Sequence, residues 1–133
     1  MNDLAPLKQA IADQAVRTEQ LWVLVAAAMV MLMQAGFLAL EVGSVRPQAA
    51  GITALKNVVD WVVCAVTFFF LGWGIMYGRS VEGIFGGDGF SLNTDGNGGN
   101  PIGIGVHFVF TVAFAGTAAT IVSGAMAERT GFL

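Results

Sequence analysis

Few side chains in this sequence could do chemistry, and two of them accompany its first long apolar run. Gln34 lies inside that run, and Glu41 follows at its end. Because a side-chain amide in lipid needs a hydrogen-bond partner, we expect Gln34 to face protein. Glu41 has two interpretations: an interfacial carboxylate in contact with headgroups or water, or a carboxylate that fixes a neighbouring helix.

A second polar group opens the next apolar run. The string LKNVVDW contains Lys56, Asn57 and Asp60. Lys56 and Asp60 are four residues apart, a spacing at which they could pair on one helix face. The simpler interpretation is capping and interfacial chemistry, with Asp60 favoured in a first helical turn by the helix dipole. Both interpretations place these residues at the entrance of a helix.

The sequence lacks the patterns of metal, phosphate and catalytic sites. A single cysteine, Cys64, and a single histidine, His107, cannot supply a multi-cysteine or multi-histidine metal site. Asp88 and Asp95 lie in a glycine-rich segment, but a calcium loop also needs a closing bidentate glutamate, which is missing. No phosphate loop with a Gly-Lys-Ser/Thr ending and no nucleophile–base pair is present. We therefore expect neither an enzyme nor a cofactor.

Composition indicates a membrane protein. The 133 residues are 56% hydrophobic and 11% charged, whereas ordinary soluble domains are about 45–50% apolar and roughly 25% charged. The formal net charge is −3, and the six Lys and Arg residues are scattered singly. Without a basic patch, a nucleic-acid partner is not expected, and membrane lipid is the expected surroundings.

Three apolar stretches are long enough to cross a membrane. About 20 apolar residues cover a hydrocarbon core of roughly 30 Å at about 1.5 Å per residue. We predict helices over about residues 21–41, 57–78 and 105–127, and hence an all-α membrane protein. Residues 1–20 combine charges with apolar residues at helical spacing, which predicts a separate amphipathic helix at the membrane surface.

The third stretch, FAGTAATIVSGAMAER, has small residues at every fourth position. Gly116, Thr120 and Gly124 fall on one helix face, and the stretch ends at the charged pair Glu128 and Arg129. In lipid, helices associate through close backbone contact, which small residues at this spacing allow. We therefore expect this helix to pack between other helices.

The segment between the second and third stretches is polar and dense in glycine. Residues 79–105 have the composition of a loop outside the lipid. Just before it, the string GWGIMYG places Gly74 and Gly78 in a GxxxG pair. In the same string, Trp73 and Tyr77 suit the aromatic belt at a membrane surface.

The distribution of positive charge predicts an orientation. Arg46 and Lys56 flank the first connection, and Arg129 follows the third stretch, whereas the glycine-rich segment carries Arg79 alone. Positively charged loops favour the cytoplasmic side. We therefore expect the amino terminus and the glycine-rich segment to lie outside the cell.

Three strings carry a resemblance to a known family. They are MQAGFLALEVGSVR, LKNVVDW leading to GWGIMYG, and AFAGTAATIVSGAMAERTGF. Together they resemble the ammonium transporter family (Amt/Mep/Rh), in the family's order and spacing. The resemblance implies that residues 21–133 are a partial ammonium transporter domain with the first three membrane helices of a larger bundle. On this interpretation the chain is an amino-terminal fragment.

The resemblance also implies a substrate path. Members of this family are homotrimers of the plasma or inner membrane. Each subunit conducts ammonium or ammonia through a narrow hydrophobic path, past two stacked phenylalanines and a pair of histidines. Phe114 matches the outer of these phenylalanines, counted back from GAMAER, and Phe37 and Ile121 match positions that line the path. His107 does not match either paired histidine, because both belong to later helices.

The residues leave three functions open. The first is transport of ammonium or ammonia through a hydrophobic pore. The second is an ammonium-sensing domain, similar to the transporters, in a membrane signalling protein. The third is a small membrane protein with an interaction role. Without the resemblance, Phe114 would be interpreted as a packed or lipid-facing side chain.

Overall fold

The computed structural model of the protein describes residues 4–93 and 103–126, which are mainly helical. The helices are α1 (Leu4–Ser44), α2 (Ala50–Thr67), α3 (Trp73–Tyr77) and α4 (Ile104–Ala125). A π-helical turn, Phe68–Gly72, joins α2 to α3 without a break, so the two form one rod over Ala50–Tyr77. Within the described residues, α1, this rod and α4 are long and apolar enough to cross a membrane, which confirms the predicted all-α membrane fold.

Helix α1 is longer than the predicted first span. Its 41 residues correspond to about 60 Å, roughly twice the thickness of a hydrocarbon core. The sequence predicted a separate surface helix over residues 1–20, but the structure shows no break at residue 20. Two features explain the continuity. No glycine or proline lies between residues 7 and 35, and Pro6 sits in the first turn, where its missing N–H costs no hydrogen bond.

The π-helical turn depends on a glycine. The backbone N–H of Trp73 donates to the carbonyl oxygen of Phe68, five residues earlier. The ring of Phe68 lies directly over Gly72, where a Cβ would collide with it. The turn therefore contains one residue more than an α-helical turn, and the Phe68 ring covers the position where Gly72 has no side chain.

Helix α4 packs against both α1 and α2. Its buried residues are small or β-branched, and four of them carry a hydroxyl group: Thr111, Val112, Ala113, Gly116, Thr117, Thr120 and Ser123. Small side chains allow the close backbone approach on which helix association in lipid depends. The contact face of α4 therefore carries several hydroxyl groups, and its side chains are short.

The loop after α3 folds back onto the end of the second rod. Two short antiparallel strands, β1 (Ser80–Val81) and β2 (Phe85–Gly86), precede a 3₁₀ turn at Phe90–Leu92. The ring of Phe90 lies against Gly74, where a Cβ would come within 2.6 Å of Cδ1. The GxxxG pair thus accommodates this loop, with Phe90 against Gly74 and the backbone of Asp88 against Gly78.

Candidate functional site

Helix α4 has a second face that α1 and α2 leave uncovered. Phe114 and Ile121 are 47% and 55% exposed. They are seven residues apart, which places them about 20° from each other around the helix. Phe110 lies one turn before Phe114, and the two rings meet edge to face with centroids 5.0 Å apart. We call Phe110, Phe114 and Ile121 the α4 stripe.

The middle of the opposite, packed face is held by Gln34 of α1. The Gln34 amide Nε2 donates to Thr117 Oγ1 at 3.1 Å. The hydroxyl of Thr117 in turn donates a hydrogen bond to the carbonyl oxygen of Ala113 at 3.0 Å. Thr120 Oγ1 lies 3.0 Å from Gln34 Oε1 and 2.9 Å from the carbonyl oxygen of Gly116, so two acceptors share its one proton. Both ends of the amide are therefore bonded to α4.

The three helices come together at Gly116. A Cβ at this position would lie 2.6 Å from Cδ1 of Trp61 on α2 and 3.4 Å from Nε2 of Gln34 on α1. Only a residue without a side chain fits between the indole and the amide. The tight packing at Gly116 fixes the distance between α4 and α2.

Lys56 and Glu41 meet the carboxyl end of α4. The ammonium Nζ of Lys56 donates to the carbonyl oxygen of Ser123 at 2.7 Å. This carbonyl also accepts from the backbone N–H of Met126 at 3.1 Å, in place of the i+4 donor that carbonyls in the last turn of a helix lack. Glu41 is buried, with 6% of its surface exposed. A Cβ at Gly124 would lie 2.9 Å from its Oε1. Lys56 thus caps α4, and no ion pair with Asp60 forms among the described residues.

Aromatic rings gather at the other end of α4. Trp73 is 4% exposed, and its ring centroid lies 4.6 Å from that of Tyr77 and 5.4 Å from that of His107. The Tyr77 hydroxyl is 3.3 Å from Thr111 Oγ1. Trp73 therefore packs inside the protein, whereas the sequence suggested an aromatic belt at the membrane surface.

A comparison with protein families shows which family the chain belongs to. The sequence model of a family described as "Ammonium Transporter Family" matches residues 21–133. This chain belongs to the ammonium transporter family. Membership confirms the resemblance found in the sequence, and with three membrane-crossing helices it makes the chain part of a multi-pass membrane protein.

Several members of this family are similar to this chain over most of its length. "Ammonium transporter Amt2" of Archaeoglobus fulgidus is 39% identical over 84% of this chain and 23% of the relative. "Ammonium transporter Amt1" of Haloferax mediterranei is 37% identical over 84% of this chain and 21% of the relative. A solved structure titled "Sensor Amt Protein" is 42% identical with a TM-score of 0.83, covering 88% of this chain and 29% of the other. The chain thus spans about a quarter of the length of these proteins.

The other residues predicted for an ammonium transporter site lie in different places. Phe37 is half-buried on the packed side of α1, on the same helix face as Gln34 and Glu41, whereas Phe114 and Ile121 of the α4 stripe are exposed. Asn57 is 5% exposed. Asp60 is half-buried and lines a cavity of about 290 Å³ beside α2. Glu128 and Arg129 lie outside the described residues.

Sequence reasoning missed two residues of this ammonium transporter segment. Trp61 was not singled out, although it directly follows Asp60 and closes the packing around Gly116. Phe110 was also missed, although its distance of four residues from Phe114 is the spacing of two neighbours on one helix face. The i, i+4 spacing could have revealed Phe110. Trp61 had no local signal, because its partners lie on other helices.

Proposed function

We propose that this chain is the amino-terminal part of a protein that moves ammonium or ammonia across a membrane, and that the α4 stripe faces the conducting path. The observation that supports this most is the division of α4 into two faces. Its small and hydroxyl-bearing face is already engaged by α1 and α2. The stripe, with Phe114 at its centre, is the face left for further helices or for a pore.

The chemistry of the α4 stripe suits a small nitrogen compound. A phenylalanine ring across a narrow path blocks water and hydrated ions, and its face attracts a cation. Uncharged ammonia avoids most of the cost of carrying charge through an apolar channel. A path lined by Phe110, Phe114 and Ile121 therefore separates ammonia from larger hydrated cations.

Flux measurements on a full-length protein carrying this chain test the proposal. We expect Phe114→Ala to let potassium or sodium pass alongside ammonium, because the ring no longer blocks hydrated ions. The assay is ion and ammonium flux into proteoliposomes. Phe70→Ala is the matched control, since Phe70 is 54% exposed on the second rod and lies outside the stripe. Wild-type selectivity and flux in Phe114→Ala would exclude Phe114 as a gate.

We further propose an orientation with the amino terminus outside, in the plasma or inner membrane, and a homotrimeric full-length protein. Arg46 in the first connection and Lys56 at the carboxyl end of α4 put positive charge at one end of the bundle, which favours the cytoplasmic side. A cysteine at Gln48, in a Cys64→Ala background, should react with an impermeant reagent from the inside only. Labelling from the outside would reverse the orientation, and native mass spectrometry reads the subunit number.

A sensing function is the second candidate. It is favoured by the solved structure titled "Sensor Amt Protein", which is 42% identical to this chain. A transporter gives ammonium flux in proteoliposomes. A sensor is expected to bind ammonium without flux, so binding measured by calorimetry on a preparation without flux would favour sensing.

A further inference from the structure

A partly open cavity of about 180 Å³ lies between α1 and α2, beside the Gln34 side chain that bonds to α4. Its walls are formed by Gln34, Ala35, Leu38, Asn57, Val58 and Trp61. A water molecule takes up about 30 Å³ in the liquid, so the cavity has room for several. Most of the wall is apolar, and the polar groups are confined to the side chains of Gln34, Asn57 and Trp61.

Two hydrogen-bond donors at this cavity have no partner in the described part of the chain. They are Nδ2 of Asn57 and Nε1 of Trp61. Asn57 is 5% exposed, so neither bulk water nor lipid headgroups reach its amide. The two residues are four apart on α2 and therefore lie one above the other on the same helix face.

We propose that this cavity is a binding site for ordered water, and that the bound water links α2 to α1. A water molecule that accepts from Asn57 Nδ2 and Trp61 Nε1 keeps two protons to donate. Gln34 Oε1, at the same cavity, accepts one bond from Thr120 and has a second lone pair. Buried waters usually make about three hydrogen bonds to polar groups that are otherwise unpaired. These three side chains supply that number.

The chemistry of the walls favours water over other occupants. An apolar group would leave both donors unpaired, and a cation would face two N–H groups. The ligand has to accept two hydrogen bonds, donate at least one, and fit between the apolar side chains of Ala35, Leu38 and Val58. Two further oxygens that lack a partner within residues 4–93 and 103–126, Glu41 Oε2 and Ser123 Oγ, are buried towards the carboxyl end of α4. The proposed water site therefore lies in the interface of α1, α2 and α4, which already contains buried polar groups.

Hydroxyl-radical footprinting with X-ray radiolysis tests this site in a full-length protein carrying the chain. Radicals form from water itself, so a buried side chain is oxidised only where water is bound beside it. Trp61 is half-buried, whereas Trp73 is 4% exposed among aromatic rings, so the deciding comparison is made at Trp61 itself, between wild type and Asn57→Leu. In Asn57→Leu, which removes the donor and fills space, the oxidation rate at Trp61 should fall by at least about threefold, with the rate at Trp73 as the unchanged reference.

Each outcome supports or overturns the site. Equal oxidation of Trp61 and Trp73 in the wild-type protein would overturn it, as would an Asn57→Leu rate equal to wild type. If Asn57→Leu does not fold, a high-resolution density map of the wild-type protein decides. A separate peak within hydrogen-bonding distance of Asn57 Nδ2 and Trp61 Nε1 supports the site, and a protein side chain in that position overturns it. Neither measurement involves transport, so the result is independent of the proposed function.

Discussion

Replacing Gly116 by alanine tests how closely the three helices are fitted. The new Cβ would lie 2.6 Å from Cδ1 and 2.7 Å from Nε1 of Trp61, whereas ordinary contacts of a Cβ begin at about 3.4 Å. The shortfall is at least about 0.8 Å. The atoms it meets belong to a rigid indole ring, so no flexible chain end can simply move aside. Either the indole turns out of its position or α4 moves away from α2.

The cost follows from these two responses. Inserting a methyl group into a well-packed interior costs about 1–3 kcal/mol. A movement of α4 by 0.8 Å would also stretch the 3.1 Å bond from Gln34 to Thr117, to as much as about 3.9 Å if the movement follows the bond, which is beyond hydrogen-bonding distance. Hydrogen bonds between helices in membranes are worth about 0.6 kcal/mol on average and up to about 1.7 kcal/mol. Alanine favours helix over glycine by up to about 1 kcal/mol, which offsets part of this cost, so we expect Gly116→Ala to lower the free energy of unfolding by about 1–4 kcal/mol.

Reversible unfolding of the full-length protein in mixed micelles measures this change. Gly51→Ala is the control, because no atom lies within 4 Å of a Cβ built there. Alanine favours helix over glycine by up to about 1 kcal/mol, so the control should be neutral or stabilised. The double variant Gly116→Ala, Trp61→Leu should recover part of the loss. Stability of Gly116→Ala within about 0.5 kcal/mol of wild type would refute the packing argument.

Three further perturbations have defined outcomes. Gln34→Leu removes both amide bonds to the threonines of α4, and we expect unfolding to become easier by about 1–2 kcal/mol in the same micelles; an unchanged midpoint would contradict this. Lys56→Met removes the side-chain donor to the Ser123 carbonyl, which then keeps only the backbone N–H of Met126, so amide exchange in the last turn of α4 should speed up, while Lys56→Arg should stay near wild type. Gly74→Ala pushes against the ring of Phe90, and limited proteolysis should cut the loop after α3 faster; wild-type cleavage would show that the ring does not depend on this glycine.

The sequence predicted those features whose signal lies within one helix. The apolar stretches predicted three membrane-crossing helices, and the family motifs predicted the family that the comparison confirms. The small residues Gly116, Thr120 and Gly124 indicated a packed face on α4, and they lie on the side where the partner helices are. Such patterns can be predicted because a helix repeats its faces every 3.6 residues.

Contacts between distant segments could not be predicted in the same way. Lys56 has a carboxylate four residues away in the sequence, yet it bonds to a carbonyl oxygen 67 residues away. The acceptor is a carbonyl near the carboxyl end of α4, and the spacing of residues around Lys56 does not reveal that this helix end lies beside it. Gly74 resembles part of a helix-packing motif, but the Phe90 ring of the following loop occupies the space above it. In both cases the partner is set by the tertiary fold, which brings a distant segment of the chain next to the residue.

The packed face and the exposed stripe of α4 are linked by the geometry of a single helix. Each residue turns an α-helix by roughly 100°, so a shift of one residue in the packed face would carry Phe114 a quarter-turn away from its present direction. Gln34 fixes the rotation near the middle of α4, and Lys56 fixes the position of its carboxyl end. These polar contacts therefore set the direction of the stripe, although none of them belongs to it. On the proposed function, Gln34→Leu should therefore change the ion selectivity of the folded full-length protein as well as its stability, because loosened packing lets the ring of Phe114 turn away from the proposed path.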